Sequence, residues 1–347
     1  MHFASDNTGP THPKIIDAVA RASEGYAMPY GRDPWAEAAC DAVRETFEAP
    51  EARVYCVATG TGANALALGT LTAPWSTIFC HEAAHVRVDE SNAPAFFAGG
   101  ATFAPVAGAS GKMDPAALAA TLDAFAPGDV HTPARGPLTL TNVTEAGTVY
   151  TLAEIDALTA QAKTAGLPVH LDGARFANAC AALGCSAAEM SWKRGIDVVS
   201  FGGTKNGCMS VEAVIFFDPD HAETFERQRM RGGHLFSKHR VLSAQMAVYA
   251  DGLWLELAER ANAAASRLIE GLSALPHVAF VHPPQSNLMF CQMPRRLHAQ
   301  ALSHGAEFYS WGDPHAGDPD APVMARFVVD WSATDEGTDR FLDILSA

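Results

Sequence analysis

The chain has 347 residues, enough for one large domain, a smaller one and a sizeable buried core. Hydrophobic residues make up 48% and charged residues 18%, the balance of a folded globular chain rather than a disordered one. A formal net charge of -15 repels nucleic acid and anionic membrane surfaces, so neither is expected as a partner.

No basic stretch followed by an apolar one opens the sequence, and no apolar run reaches the ~18 residues a membrane helix needs. The seven cysteines are odd in number, form no CxxC pair and sit mostly in apolar stretches. Reduced, buried thiols in a cytoplasmic protein are the expectation, with no metal site.

In chain order, the first forty residues carry Gly, Pro and Tyr30-Gly31-Arg32-Asp33-Pro34 and read as an arm or loop. Short apolar runs then predict strands over 53–58, 77–80, 101–106, 137–143, 168–172, 197–201 and 213–218. Helical patterns lie between several of them, over 63–71, 114–125 and 152–165. Asp114-Pro115 supplies an N-cap and first-turn proline, and Gly166 followed by Pro168 closes the third helix. Alternation at this spacing predicts an α/β fold with a mostly parallel sheet covered on both faces. The large domain is assigned to 41–240. From about 241 a long Ala- and Leu-rich helix, spanning 240–274, leads into a small α+β domain. That domain has strands at 287–293 and 323–331 and helices at 295–304 and 335–345.

Three segments carry chemistry. Thr59-Gly60-Thr61-Gly62-Ala63-Asn64 follows a strand and opens a helix, where free N–H groups can meet a phosphate. Gly60-x-Gly62-x-x-Ala65 also fits a dinucleotide fingerprint, with Glu82 as the acid about twenty residues on. Val169-His170-Leu171-Asp172-Gly173-Ala174-Arg175 ends an apolar strand in a carboxylate, at the sheet edge where ligands bind. Asp197 to Gly207 runs a strand into glycines, Thr204 and Lys205. A pyridoxal phosphate (PLP) site needs an amine, a carboxylate for the pyridine nitrogen, a phosphate cradle and a cation for the substrate carboxylate. The first three appear here, in the chain order phosphate loop, Asp172 and Lys205. A nicotinamide dehydrogenase explains the Gly60 turn but leaves Lys205 and the Asp172 loop without a role.

Taken together, these segments resemble those of the low-specificity L-threonine aldolases, PLP enzymes of fold type I in the aspartate aminotransferase superfamily. The resemblance rests on Ser5-Asp6-Asn7, Tyr30 to Pro34, Thr59 to Asn64, His170 to Arg175 and Ser200 to Gly207. It implies a seven-stranded large domain and reversible cleavage of L-threonine, L-allo-threonine and related β-hydroxy-α-amino acids to glycine and an aldehyde. Lys205 would carry the cofactor through a Schiff base. Asp172 would face the pyridine nitrogen, and Gly60, Thr61 and Thr204 the phosphate. His85 would stack on the ring. Ser5, Arg175 and Arg326 would hold the substrate carboxylate, with Arg175 also beside the cofactor, and Tyr30 would reach a neighbouring subunit's substrate. His85 and His131 are the two candidates for the base.

The resemblance also implies a homodimer or homotetramer with shared sites. Two segments depart from the family pattern: Thr141-Asn142-Val143-Thr144-Glu145, and Arg229 to Lys238. β-Elimination, racemisation and cofactor binding without turnover remain alternatives on the same scaffold.

Overall fold

A computed structural model describes residues 1–346. The chain opens with two helices, α1 (Pro13–Ala22) and α2 (Pro34–Thr46). Both begin at a proline behind a side-chain cap: His12 accepts the Lys14 N–H, and Asp33 accepts those of Trp35 and Ala36. The large domain continues with β1 (Arg53–Val57), α3 (Gly60–Leu71), β2 (Ser76–His81), α4 (His85–Val88), α5 (Ala93–Phe97) and β3 (Thr102–Val106). Next come α6 (Pro115–Ala124), β4 (Ala134–Thr141), α7 (Leu152–Thr164), β5 (Val169–Gly173) and α8 (Phe176–Leu183). It closes with β6 (Val198–Gly202), β7 (Glu212–Phe216), α9 (Ala222–Arg231) and α10 (Arg240–Val248). Helix α11 (Trp254–Ser273) leads to β8 (Ala279–Phe280), β9 (Leu288–Pro294), α12 (Arg295–Ser303), β10 (Tyr309–Trp311), β11 (Pro322–Val328) and α13 (Asp335–Ser346).

The seven-stranded sheet has the order β1-β7-β6-β5-β4-β2-β3. Strands β3, β2, β4, β5 and β6 pair in parallel, and β7 alone runs against its neighbours. Burial on both faces explains why the strands read as continuous apolar runs; β2, β5, β6 and β7 are buried at every position. The four-stranded sheet, β10-β11-β9-β8, is antiparallel and packs its own apolar cluster around Phe327, Phe341, Leu268 and Leu272.

Two expectations change. Residues 1–40 are not an arm. Phe3 lies in the small-domain core, its backbone bonding to Glu307 and Val328, while α1 and α2 pack on α10. A boundary at residue 40 therefore falls inside α2. The single helix expected over 240–274 is two, broken where Asp251 and Gly252 leave helical geometry, Gly252 at φ +77°. A glycine is the residue best able to adopt that left-handed backbone.

Candidate active site

Strands β4, β5 and β6 end at one edge of the sheet, and their last residues and the turns after them meet helix α3 there. The resulting cleft, about 440 Å³, is lined by Gly60, Thr61, Asn64, His85, Glu145, Asp172, Thr204 and Lys205 among others. Lys205 sits in a short 3-10 turn, Thr204–Asn206, directly after β6. That turn is anchored from below. The buried Asn206 side chain donates to the Tyr249 hydroxyl (2.9 Å) and the Trp254 carbonyl (2.8 Å), and the Glu212 carboxylate accepts the Gly203 N–H at 2.7 Å. Burial pushes the Glu212 carboxyl up to about 7.

One strand away, Asp172 is 2% exposed. Its oxygens accept the Ala174 N–H at 3.0 Å and the Asn64 side-chain amide at 2.9 Å. The same amide nitrogen donates to Glu90 at 2.9 Å, and Glu90 accepts from His85 Nδ1 at 2.8 Å. An acid, an amide, a second acid and an imidazole thus form one hydrogen-bonded chain. The hydrogen bond to Glu90 raises the His85 pKa above its ordinary value, so the imidazole holds its proton to higher pH than a free histidine. Beneath Asp172, His170 is fully buried between the Thr139 and Ser200 hydroxyls, 2.9 Å from each. Desolvation lowers its pKa to about 4, so it is a neutral spacer between strands.

At the other end of the cleft, Thr59 caps α3 by accepting the Gly62 N–H at 3.0 Å. The first turn of α3 therefore points its free N–H groups at the open space. A Cβ on Gly60 would meet nothing within 4 Å, whereas one on Gly62 would strike the His234 ring at 2.3 Å. Gly60 faces open volume; Gly62 lets the His234 ring pack under the turn, where its Nδ1 accepts the Ala58 N–H at 3.2 Å.

Of the cations expected for the substrate carboxylate, Arg175 follows β5 in the large domain and Arg326 stands on β11 of the small one. Arg175 is already engaged. Its Nε and Nη2 donate to Asp6 at 2.6 and 3.0 Å, and the two side chains are only 10% and 1% exposed. Arg326 donates to the Ala4 carbonyl at 2.9 Å and stacks over Tyr309, but its buried Nε has no partner among the described residues. Of the two, Arg326 is the freer to take a carboxylate. Ser5 is half-buried next to them, its hydroxyl accepting the Asn7 N–H at 3.2 Å.

Two expected site residues are not brought to this cleft. His131 is exposed in the loop before β4. It lies at the opposite edge of the sheet, a full strand of eight residues, or about 25 Å, from the Asp172 end. Tyr30 is 46% exposed beside Arg32, Arg229 and His239, in a separate groove of the chain. Cleft residues that escape the sequence reading include Asp89, Glu90, Glu145, Ser210 and Glu212. Glu145 lies inside a segment that departs from the family pattern; the others have no local signal.

The residues present fit pyridoxal phosphate. A lysine and a carboxylate stand on adjacent strand ends, a helix N-terminus opens on free space, and buried polar atoms of Asn64 (Oδ1) and Glu90 (Oε2) have no partner. A seven-stranded, mostly parallel sheet presenting these groups at its C-terminal edge defines a fold-type-I PLP enzyme.

The comparisons with known proteins narrow this class. A family model described as beta-eliminating lyase matches residues 2–295. A low specificity L-threonine aldolase of Pseudomonas aeruginosa is 40% identical over 312 residues, covering 90% of this chain and 89% of that one. A second, from a Pseudomonas species, is 38% identical over 343 residues, covering 99% and 96%. The solved structure of a Leishmania major threonine aldolase superposes with a TM-score of 0.90 at 26% identity, covering 99% and 98% of the two chains. The chain belongs to the beta-eliminating lyase family and, within it, to the low specificity L-threonine aldolases. With that membership the nicotinamide reading of the Gly60 turn falls. The strand order also differs from the 3-2-1-4-5-6 order of a dinucleotide fold.

Proposed function

We propose that this chain catalyses the reversible retro-aldol cleavage of L-threonine, L-allo-threonine and related β-hydroxy-α-amino acids to glycine and an aldehyde. The observation that carries the reading is the placement of Lys205 and Asp172 on adjacent strand ends of one cleft, opposite the N-terminus of α3. Pyridoxal phosphate bound there supplies an electron sink for bond cleavage at the substrate α-carbon. Lys205 is the residue to hold it covalently, Asp172 to face its ring nitrogen, and Gly60, Thr61, Thr204 and Ser210 to hold its phosphate.

The chain's own residues do the rest. His85, fixed by Glu90, presents an imidazole edge or face at the ring position. Arg326, with the one remaining free nitrogen of Arg175, orients the substrate carboxylate, and that fixes which bond at the α-carbon stands ready to break. The Asn64–Glu90 pair holds Asp172 and His85 at a set distance from each other, which limits reorganisation during turnover.

The assembly proposed is a homodimer or homotetramer with shared sites. Tyr26, Met28, Tyr30, Met209 and Phe236 are large apolar side chains left at 109%, 62%, 46%, 48% and 38% exposure. Such an uncovered surface favours self-association. Cytoplasmic residence is proposed on the seven free cysteines. No described helix is long and apolar enough to cross a membrane. The activity is tested by aldehyde release from L-threonine, L-allo-threonine, D-threonine and phenylserine. Release from the L isomers with glycine as co-product supports the reading, and release from none of the four overturns it.

A further inference from the structure

We propose that Glu145 is the catalytic residue that takes the proton from the substrate's side-chain hydroxyl; the proposal rests on the aldolase reading above. His131 of the same chain is at the wrong edge of the sheet, as described. His85 is the weaker acceptor, because its Nδ1 already bonds to Glu90 and that bond raises its pKa, which favours the protonated ring. Among the groups this chain itself brings to the cleft, a carboxylate is the acceptor to look for.

Glu145 meets the requirements from position alone. It lines the same cleft as Lys205, Asp172 and His85. It sits at the tip of a tight turn in which the Thr144 N–H donates to the Thr148 carbonyl at 2.9 Å and the Gly147 N–H to the Thr144 carbonyl at 3.0 Å. The Thr144 and Thr148 hydroxyls bond each other at 2.8 Å, and Thr148 also donates to the Ser110 carbonyl at 2.7 Å. From the small domain, the Gln285 side chain accepts the Val149 N–H at 2.8 Å, and a Cβ on Gly147 would strike the Leu288 carbonyl at 2.1 Å. The turn is therefore clamped between the two domains and cannot swing away.

The carboxylate itself makes no side-chain hydrogen bond among the described residues. The residue is half-buried, so its carboxylate stays open to the cleft rather than being tied to a neighbouring side chain. Its charged surroundings are Arg175, Asp172, His85 and Lys205, with Arg326 on the small-domain side. Burial is the largest influence on it and raises its pKa, which makes the carboxylate a stronger base than one in water.

The step balances. The substrate O–H bond breaks as its proton passes to the Glu145 carboxylate, and the freed oxygen pair forms the aldehyde C=O as the Cα–Cβ bond breaks. The pair left at Cα is closed by a proton from Lys205, and Glu145 returns its proton to Lys205 through water. No net proton, oxidant or reductant is needed.

The test compares wild type with Glu145→Gln in the holoenzyme by three readouts. These are aldehyde release from L-threonine, exchange of the glycine α-proton in D2O by NMR, and the visible absorption of the bound cofactor. Glycine has no side-chain hydroxyl, so its exchange needs every part of the site except the proposed base. The expected result is a fall in kcat for aldehyde release of about 100-fold or more. Glycine exchange and absorption stay within threefold of wild type, and the acid limb of the wild-type kcat–pH profile disappears. An aldehyde-release kcat within threefold of wild type, or an equal fall in release and exchange, overturns the proposal. If wild type itself releases no aldehyde, the aldolase reading has failed and this assignment goes with it. Should Glu145→Gln not fold, Glu145→Asp serves. Its retracted carboxylate is expected to cut aldehyde release at least tenfold while sparing glycine exchange, and equal loss of both counts against the role.

Discussion

The two edges of the large sheet make an instructive contrast. At the edge where β2 and β4 begin, a cleft of about 650 Å³ is lined by Trp75, Phe125, Val130, Arg135 and the loop that carries His131. At the edge where β4, β5 and β6 end, the cleft is smaller, about 440 Å³, yet it holds Lys205, Asp172, His85, Glu90, Glu145 and Glu212. The larger space has two charged residues along its wall, Asp129 and Arg135. The smaller one is crowded with ionisable groups, and burial and their neighbours shift the titration of His85, Glu90, Glu145 and Glu212. Volume therefore does not locate the chemistry. Parallel strands deliver their last side chains, and the N-termini of the helices that follow, to one edge only.

The contrast can be broken first at Lys205. Lys205→Ala is expected to lower aldehyde release by at least ~10³-fold and to abolish the cofactor's visible band. Retention of both would move the chemistry elsewhere. The arginines of the cleft mouth sharpen the picture further, because one is structural and the other free. Arg175→Ala leaves Asp6 buried with only Asn287 as a side-chain partner, and should cost about 3 kcal/mol of stability in denaturant unfolding. Arg326→Ala breaks no ion pair; it should leave stability nearly unchanged and raise KM for the amino acid about tenfold or more.

Glu212 gives a smaller effect with a defined sign. Its folded pKa is raised from 4.5 to about 7, so the stability it allows is fully present below about 4.5 and is lost as pH rises through about 7. Glu212→Gln keeps an acceptor for the Gly203 N–H without the charge. Its melting temperature should match wild type at acid pH and exceed it by about 2–4 °C at pH 8. A mutant no more stable than wild type at pH 8 would contradict the sign. The smallest effect belongs to the other edge: His131→Ala should leave kcat/KM within about twofold, and a large loss would return that loop to the site.

Much of this was legible in the chain itself. Every strand of the large sheet coincides with an apolar run, because burial on both faces writes itself as uninterrupted hydrophobicity. Lys205, Asp172 and the Gly60 turn were legible because each follows such a run. The failures have physical causes as well. Helices α1 and α2 hide among Gly and Pro, although Pro13 and Asp33-Pro34 are start signals that mark both. The break at Gly252 is set by one residue's backbone inside an otherwise uniform helical pattern. His131 drew a role from the resemblance alone, and strand direction places it outside its own chain's cleft. The Asp172–Asn64–Glu90–His85 chain was not legible, since Asn64 and Asp172 are 108 residues apart and meet only when the sheet is assembled.

The central claim is that Lys205 is the amine that carries the cofactor in this cleft. Borohydride reduction of the protein saturated with pyridoxal phosphate, followed by peptide mass spectrometry, tests it most directly. The account predicts one stable phosphopyridoxyl adduct, on the peptide containing Lys205. An adduct confined to another lysine, or none at all, would contradict it.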